Sequence, residues 1–432
     1  MTFDQRVTLQ DWLSRISALH PKSIALGLDR VKRVAQAMGF VFRENGLDLG
    51  GTSVLVGGTN GKGSTCAILE SILLRSGYRV ATYTSPHLHV FNERLRIDAQ
   101  PIDDATLIAA FERVEAARDN LPLTYFEFTT LAVFDCIRRS AVDVAVLEIG
   151  LGGRLDAVNI VAADCSVLVS IDLDHQDYLG DTREKIGWEK AHIARPNTPL
   201  ICGDPQPPHS VAQVAQAIGA DLWQFGVDYN FQGDKQQWSW AGRGQRRHAM
   251  AYPALRGVNQ LLNASAALAA LSSLKHRLAV TQGAVREGLA LVELPARFQV
   301  LAGQPTVVLD VAHNPHAAAV LAANLDQMGF FQNTFAVVGM VAGKDAKEVF
   351  RRLGDRIDCW CLAELESQAT AGRPRRAQEL ENELHAVMPQ AQSACFANPQ
   401  QAYEYARSQA QPNDRIVVFG SFTTVAAIDP MR

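Results

Sequence analysis

Gly57-Gly58-Thr59-Asn60-Gly61-Lys62-Gly63-Ser64 is the stretch on which the reading of this chain turns. It follows a β-prone run, Ser53-Val54-Leu55-Val56. It precedes the run from Cys66 to Ser76, in which Ile68, Leu69, Ile72 and Leu73 recur on one helical face. The order is therefore strand, glycine-rich turn, helix N-terminus. Glycines let backbone N–H groups converge on an anion, the helix N-terminus adds positive potential, and a lysine reaches the outer phosphates. Lys62 and Ser64 supply the side-chain parts of such a turn. The common phosphate loop has four residues between its first glycine and Gly-Lys, and a hydroxyl residue directly after the lysine. Here Val56 stands at the first position and Gly63 separates Lys62 from Ser64. An ordinary glycine-rich turn between strand and helix is the alternative.

The 432 residues leave room for two or three domains and a large core. Lys and Arg total 41 against 45 Asp and Glu, a net charge of −4, which provides no global basic field for nucleic acid. Seven cysteines are dispersed, and Cys359-Trp360-Cys361 is too tight for a usual zinc or redox motif, which suits a reducing cytosol. The start of the chain has no signal-peptide core, and no apolar run reaches the length of a membrane span. These features predict a soluble cytoplasmic protein without nucleic-acid or membrane partners.

Strand-like runs alternate with helical ones, which predicts an α/β fold with a doubly wound parallel sheet. Strands are expected at 53–56, 79–83, 142–147 and 166–171, and the residues just past their carboxyl ends are polar: Lys62, Ser85, Glu148 and His175. In open α/β sheets ligands bind at that edge, so these residues are expected to gather at a metal–nucleotide site. Taken singly, the serine reads equally as a helix cap and the histidine as a surface residue. An aromatic, Gly- and Gln-rich stretch at about 222–256 reads as a small β insertion, its tryptophans packing under the sheet. Leu294-Pro295 is a candidate hinge between a domain spanning 1–295 and a smaller Rossmann-like α/β domain spanning 299–432. In the latter, Asp310 and His313 follow the first strand. Arg373-Pro-Arg-Arg376 reads as a solvated basic loop.

Several motifs occur in one order: Gly58-Thr-Asn-Gly-Lys-Gly-Ser64, Ser85-Pro-His-Leu88, Leu147-Glu-Ile-Gly-Leu-Gly-Gly-Arg-Leu-Asp-Ala157, Asp174-His-Gln-Asp-Tyr-Leu-Gly180, Glu189-Lys-Ala191, Ala296-Arg-Phe298, Asp310-Val-Ala-His-Asn-Pro315 and Gly420-Ser-Phe422. Together they resemble the dihydrofolate synthase/folylpolyglutamate synthase family, the folate branch of the Mur ligases, across nearly the whole chain. The resemblance implies a two-domain, ATP-dependent ligase. Such an enzyme adds L-glutamate to dihydropteroate and to the γ-carboxylate of reduced folates through an acyl phosphate.

For the site, the resemblance implies that Thr59, Asn60, Gly61, Lys62, Gly63 and Ser64 hold the triphosphate. Asn263 meets the adenine, Arg297 the phosphates and Asp310 the ribose side. Asn259-Gln260 departs from the His-Gln often found before that asparagine. Ser85, Glu148 and His175 are implied as ligands of Mg²⁺, with two ions in all. Lys190 is implied to be carbamylated, CO₂ turning a cation into an anionic oxygen ligand; from sequence alone it reads as a helix salt bridge to a nearby Glu. His313 is implied to handle the incoming glutamate. The pterin is expected against Ile24, Ala25 and Leu26, against Thr124, Tyr125, Phe126 and Glu127, and against Leu155, Asp156 and Ala157. In that arrangement Phe126 stacks on the ring, and Glu127 or Asp156 accepts its N–H donors.

The alternatives are a folylpolyglutamate synthase alone, another Mur-type amide ligase, and a nucleotide-regulated switch. The last has no use for Glu148, His175 and Lys190 together. A monomer is expected.

Overall fold

The computed structural model describes residues 7–429 apart from 23, 235 and 367–374. The chain divides into two units, one of Met1–Ile171, Gln176–Pro253 and Leu261–Val292, the other of Asp172–His175, Ala254–Gln260 and Glu293–Arg432. No helix among the described residues is long and apolar enough to cross a membrane.

The first unit is built on an eight-stranded sheet of β1 (Thr52–Gly57), β2 (Val80–Tyr83), β3 (Leu95–Ile97), β4 (Gln100–Pro101), β5 (Val144–Glu148), β6 (Cys165–Leu168), β7 (Pro199–Cys202) and β8 (Asp221–Gln224). Their order is β8-β7-β6-β1-β5-β2-β3-β4. Every pair from β8 to β2 is parallel, and β3 and β4 extend the edge antiparallel. The central strands are apolar almost throughout and buried, as a sheet covered on both faces requires. Val56 pairs with Glu148, Gly57 with Leu168 and Tyr83 with Leu147, so four strands end level. After β2 the chain inserts β5 beside β1 and then lays β6 on the other side of β1. The strand order thus reverses about β1, where the glycine-rich turn emerges.

Three helices position the candidate groups: α1 (Lys62–Arg75) after β1, α2 (Tyr125–Ser140) before β5, and α3 (Arg183–Ala191) before β7. A fourth, apolar helix, α4 (Gln260–Ser273), closes the set. Trp223 lies on β8, paired parallel with β7, so the antiparallel insert is narrower than the sequence suggests. It comprises β9 (Tyr229–Gly233), β10 (Trp238–Gly242) and β11 (Gln245–Met250), with Tyr229, Trp238 and Trp240 buried.

The second unit carries β12 (Gln299–Leu301), β13 (Thr306–Leu309), β14 (Thr334–Val338), β15 (Cys359–Ala363), β16 (Gln392–Phe396) and β17 (Arg415–Phe419), ordered β12-β13-β17-β14-β15-β16. Only β12 runs antiparallel to its neighbour. Val308, Val338, Trp360, Leu362 and Phe419 form the centre of its core. After β13, α5 (Pro315–Asp326) begins with Pro315 in its first turn, and the Asn314 side chain accepts from Ala317 N at 2.9 Å. Arg375 of the basic stretch is buried and paired with Glu383 at 3.2 Å, while Arg373 and Pro374 lie outside the described residues.

Candidate active site

The glycine-rich turn is held from behind by one residue of the next strand's end. Ser170 accepts from Thr59 N through its carbonyl at 2.7 Å and from Asn60 N through Oγ at 3.0 Å; its hydroxyl donates to the Asn60 carbonyl at 2.9 Å. Gly58, at φ +142°, passes so close that a Cβ would sit 3.1 Å from Ser170 backbone atoms. Gly61 caps α1 at φ +90° with no side-chain cap of its own, and the first turn has no acidic residue. A positively polarised helix end on a β-α turn fits a polyphosphate. Asn263, implied as an adenine contact, packs on the turn itself: a Cβ on Gly61 would lie 2.5 Å from its Oδ1.

Two lysines converge on this turn. Lys62 Nζ donates to the Gly58 and Thr59 carbonyls at 3.2 and 3.1 Å. Lys190 Nζ, from α3, donates to the same Gly58 carbonyl at 3.0 Å and is 5% exposed. Beside it on α3, Glu189 pairs with Arg154 at 2.9 Å. The Gly150–Ala157 loop lies directly on α3, where a Cβ at Gly153 would be 2.7 Å from the Glu189 carbonyl.

Glu148 ends β5, 6% exposed, and its Oε2 accepts from Ser85 N at 3.1 Å. Backbone pairing continues past β2, with Thr84 N donating to the Arg94 carbonyl at 2.8 Å. Among the described residues no three His, Cys, Asp or Glu side chains form a ready-made metal cage. A hydroxyl and a carboxylate at the edge of a phosphate turn do fit Mg²⁺ or Mn²⁺, which take hard oxygen donors, several of them from water and substrate phosphate.

The expected pterin segments are tied together by an arginine that carries no motif. Arg30 donates through Nε to Glu127 at 3.0 Å and through Nη2 to the Ala25 carbonyl at 2.6 Å. Gly27 N donates to the Leu155 carbonyl at 3.3 Å. Thr124 and Glu127 cap α2 reciprocally: Thr124 N donates to Oε2 at 2.8 Å, and Glu127 N to Thr124 Oγ1 at 3.2 Å. The Glu127 carboxylate is thus engaged by a cap and an ion pair. Asp156 accepts from Leu151 N at 2.8 Å and Val158 N at 2.9 Å. Burial pushes its pKa up to about 6 against those N–H donors. Phe126, half-buried, lies nearly parallel to Tyr83 at 6.4 Å and occupies the space a Cβ on Gly150 would need.

In the second unit a single carboxylate, Asp174, organises the candidates. It accepts from Lys344 Nζ at 2.7 Å and Asn314 Nδ2 at 3.1 Å, with His313 and His175 Nε2 each 3.9 Å from Oδ2. Burial raises the Asp174 pKa, but Lys344 and the two histidines outweigh it and hold the group well below the usual carboxylate range. His175 takes φ +51°, in the left-handed region. His313 donates from Nδ1 to the Val311 carbonyl at 2.8 Å; burial and Lys344 lower its pKa to about 4, leaving it neutral. Asp310 accepts from Phe298 N and Ala312 N at 2.9 and 2.8 Å. Burial raises its pKa and Arg297 partly opposes that; Arg297 lies 5.1 Å over the Phe422 ring.

Residues 296–422 match a family model described as Mur ligase, glutamate ligase domain. The chain is 39% identical over 426 residues to the dihydrofolate synthase/folylpolyglutamate synthase of Escherichia coli strain K12, covering 97% of this chain and 94% of that protein. The chain belongs to the dihydrofolate synthase/folylpolyglutamate synthase family. Two solved structures are similar to it, each 39% identical. E. coli FolC in complex with DHPP and ADP has a TM-score of 0.90, covering 98% of this chain and 96% of that one. A bifunctional folylpolyglutamate synthase/dihydrofolate synthase with Mn, AMPPNP and L-glutamate bound has a TM-score of 0.88, covering 98% and 97%.

Within this folate ligase family framework, sequence reading missed Ser170, Arg30, Asp174, Asn314 and Lys344. Asp174 and Asn314 stood inside quoted motifs, beside His175 and His313, and the polar neighbours of a candidate ligand were the available signal. Arg30 and Lys344 offered none: their partners lie 97 and 170 residues away.

Proposed function

We propose that this protein uses ATP to join L-glutamate to the carboxylate of 7,8-dihydropteroate, giving dihydrofolate, and to the γ-carboxylate of reduced folates. The observation that carries this reading is the convergence of Lys62 and Lys190 on the Gly58 carbonyl, in a chain whose family relatives bear those activities in their names. A substrate carboxylate oxygen attacks the γ-phosphorus, the bond to the ADP oxygen breaks, and an acyl phosphate forms. The glutamate amine attacks the acyl carbon, loses a proton, and phosphate leaves. Lys62 and the N–H groups of the turn from Thr59 to Ser64 stabilise charge on the transferring phosphoryl group. Ser85, Glu148 and His175 would hold the divalent ion, which supplies charge neutralisation between the two anions.

On Lys190, the uncharged amine would add to CO₂ and release a proton, leaving a carbamate whose oxygens would hold a second divalent ion. Asn263, Arg297, Asp310 and His313 keep the nucleotide and glutamate roles that the family implies. Ile24–Leu26, Phe126 and Leu155–Ala157 line the pterin end, with Arg30 holding them together. The bond from Gly27 N to the Leu155 carbonyl supports treating these segments as one surface. ADP release measured with dihydropteroate and glutamate, singly and together, tests the reading. Release that requires both supports it, and release indifferent to either returns the chain to the switch alternative.

A further inference from the structure

Besides Glu148, two consecutive residues hold the loop that carries Ser85. Glu93 accepts from Leu88, His89 and Val90 N at 2.7, 2.9 and 2.8 Å. Arg94 accepts from Thr84 N through its carbonyl and donates from Nε to His87 Nδ1 at 2.9 Å. Its backbone thus fixes the residue before Ser85 and its side chain the residue two after it. Arg94 is 8% exposed, and among the described residues no carboxylate pairs with it. Its guanidinium instead lies 5.2 Å from the Phe91 ring and 5.6 Å from the Tyr125 ring. Tyr125 is the first residue of α2, between the capping residue Thr124 and Phe126. Phe91 and Tyr125 meet edge to face at 6.3 Å, which fixes the cradle in which the cation sits.

A buried arginine usually has an anionic partner, because taking the charge out of water is costly. Two aromatic faces and an imidazole lone pair offset that cost here only while the planes stay aligned. A lysine can supply the charge but neither the plane nor the Nε geometry. Displacement of the Tyr125 ring therefore disturbs the guanidinium, and through it His87 and the Ser85 loop.

We propose that Arg94 is a positioning residue that couples the pterin-side end of α2 to the Ser85 loop, so that a pterin bound there sharpens divalent-ion binding. The inference rests on the readings of Ser85 as a metal ligand and of the Thr124–Glu127 end of α2 as pterin-facing, and goes beyond both. The test is Mn²⁺ binding to the AMPPNP complex without turnover, followed by the electron paramagnetic resonance signal of free Mn²⁺, with and without dihydropteroate. In the wild type dihydropteroate should tighten Mn²⁺ about fivefold or more, the low end of ordinary coupling.

Arg94→Lys should bring that ratio close to one. Tyr125→Leu, which leaves Arg94 in place, should do the same, and Tyr125→Phe should restore it. If Arg94→Lys fails to fold, the Tyr125 pair carries the test. Ser85→Ala should weaken Mn²⁺ binding with and without dihydropteroate. If Ser85→Ala weakens Mn²⁺ while Arg94→Lys and Tyr125→Leu keep the wild-type ratio, the coupling is wrong and the metal reading stands. If Ser85→Ala binds Mn²⁺ like the wild type, the metal reading fails and takes the inference with it.

Discussion

Lys62 and Lys190, 128 residues apart in the chain, donate to one carbonyl oxygen, that of Gly58, at 3.2 and 3.0 Å. Two ammonium groups on a single acceptor repel each other in a site built to receive anions. A triphosphate would relieve that repulsion from one side, and a carbamate on Lys190 would remove it from the other.

Lys62→Ala should therefore abolish ATP-dependent turnover in a folded protein. Losing one such contact to a developing phosphoryl charge costs about a hundredfold or more in rate. Steady-state ADP release beside a thermal melt checks it; near-normal turnover with an unchanged melt would assign the lysine to loop structure alone.

Activity should also depend on CO₂. Degassed, bicarbonate-free wild type is expected to lose turnover and regain it when bicarbonate is restored. Lys190→Ala should be inactive and indifferent to bicarbonate, yet partly rescued by short carboxylic acids that occupy the vacated anion position. Full activity of rigorously CO₂-free enzyme would leave Lys190 as a plain ammonium.

Removing Arg30 should strike both stability and the pterin end. Arg30→Met leaves Glu127, whose side chain is 5% exposed, without its ion-pair partner. Breaking a buried pair from one side costs about 3 kcal/mol. Chemical denaturation should show that loss. KM for dihydropteroate should rise about tenfold or more while KM for ATP holds, because Arg30 touches Ala25 and Glu127 and not the phosphate turn. A uniform rise in both constants would make Arg30 a general stabiliser.

Asp156 sets a pH dependence whose sign is determined by burial. Its folded pKa, about 6, lies above the ordinary 3.8, so the folded state binds the extra proton. Its favourable contribution is complete below about pH 4 and is lost as the pH rises through about 6. The melting temperature of Asp156→Asn relative to wild type should accordingly rise between pH 4 and pH 7. A pH-independent difference would show that the group titrates normally. The same variant should lose dihydropteroate use more than tetrahydrofolate use, if the two substrates park their pterins differently.

The fold was legible where local chemistry repeats: β-prone runs closing on polar residues, the glycine turn, and Asn314-Pro315 opening a helix. The edge strand Gln299–Leu301 was not, since three residues make no alternation to read. Thr124-Tyr-Phe-Glu127 shows a different limit. The same four residues that resemble a pterin motif also spell a reciprocal helix cap, and the structure shows the cap. Residues acting through distant partners, such as Arg30 on Glu127 and Lys344 on Asp174, leave no mark in sequence spacing.

One measurement bears most directly on a single site with two ligase activities. Purified wild type and Lys62→Ala are each given ATP, L-glutamate and, in turn, dihydropteroate or tetrahydrofolate, with ADP and the conjugated product quantified together. The account predicts that wild type forms dihydrofolate and tetrahydrofolate diglutamate, each matched one to one by ADP, and that Lys62→Ala forms neither. Glutamylation of tetrahydrofolate without any dihydrofolate from dihydropteroate, or survival of one activity in Lys62→Ala, would contradict it.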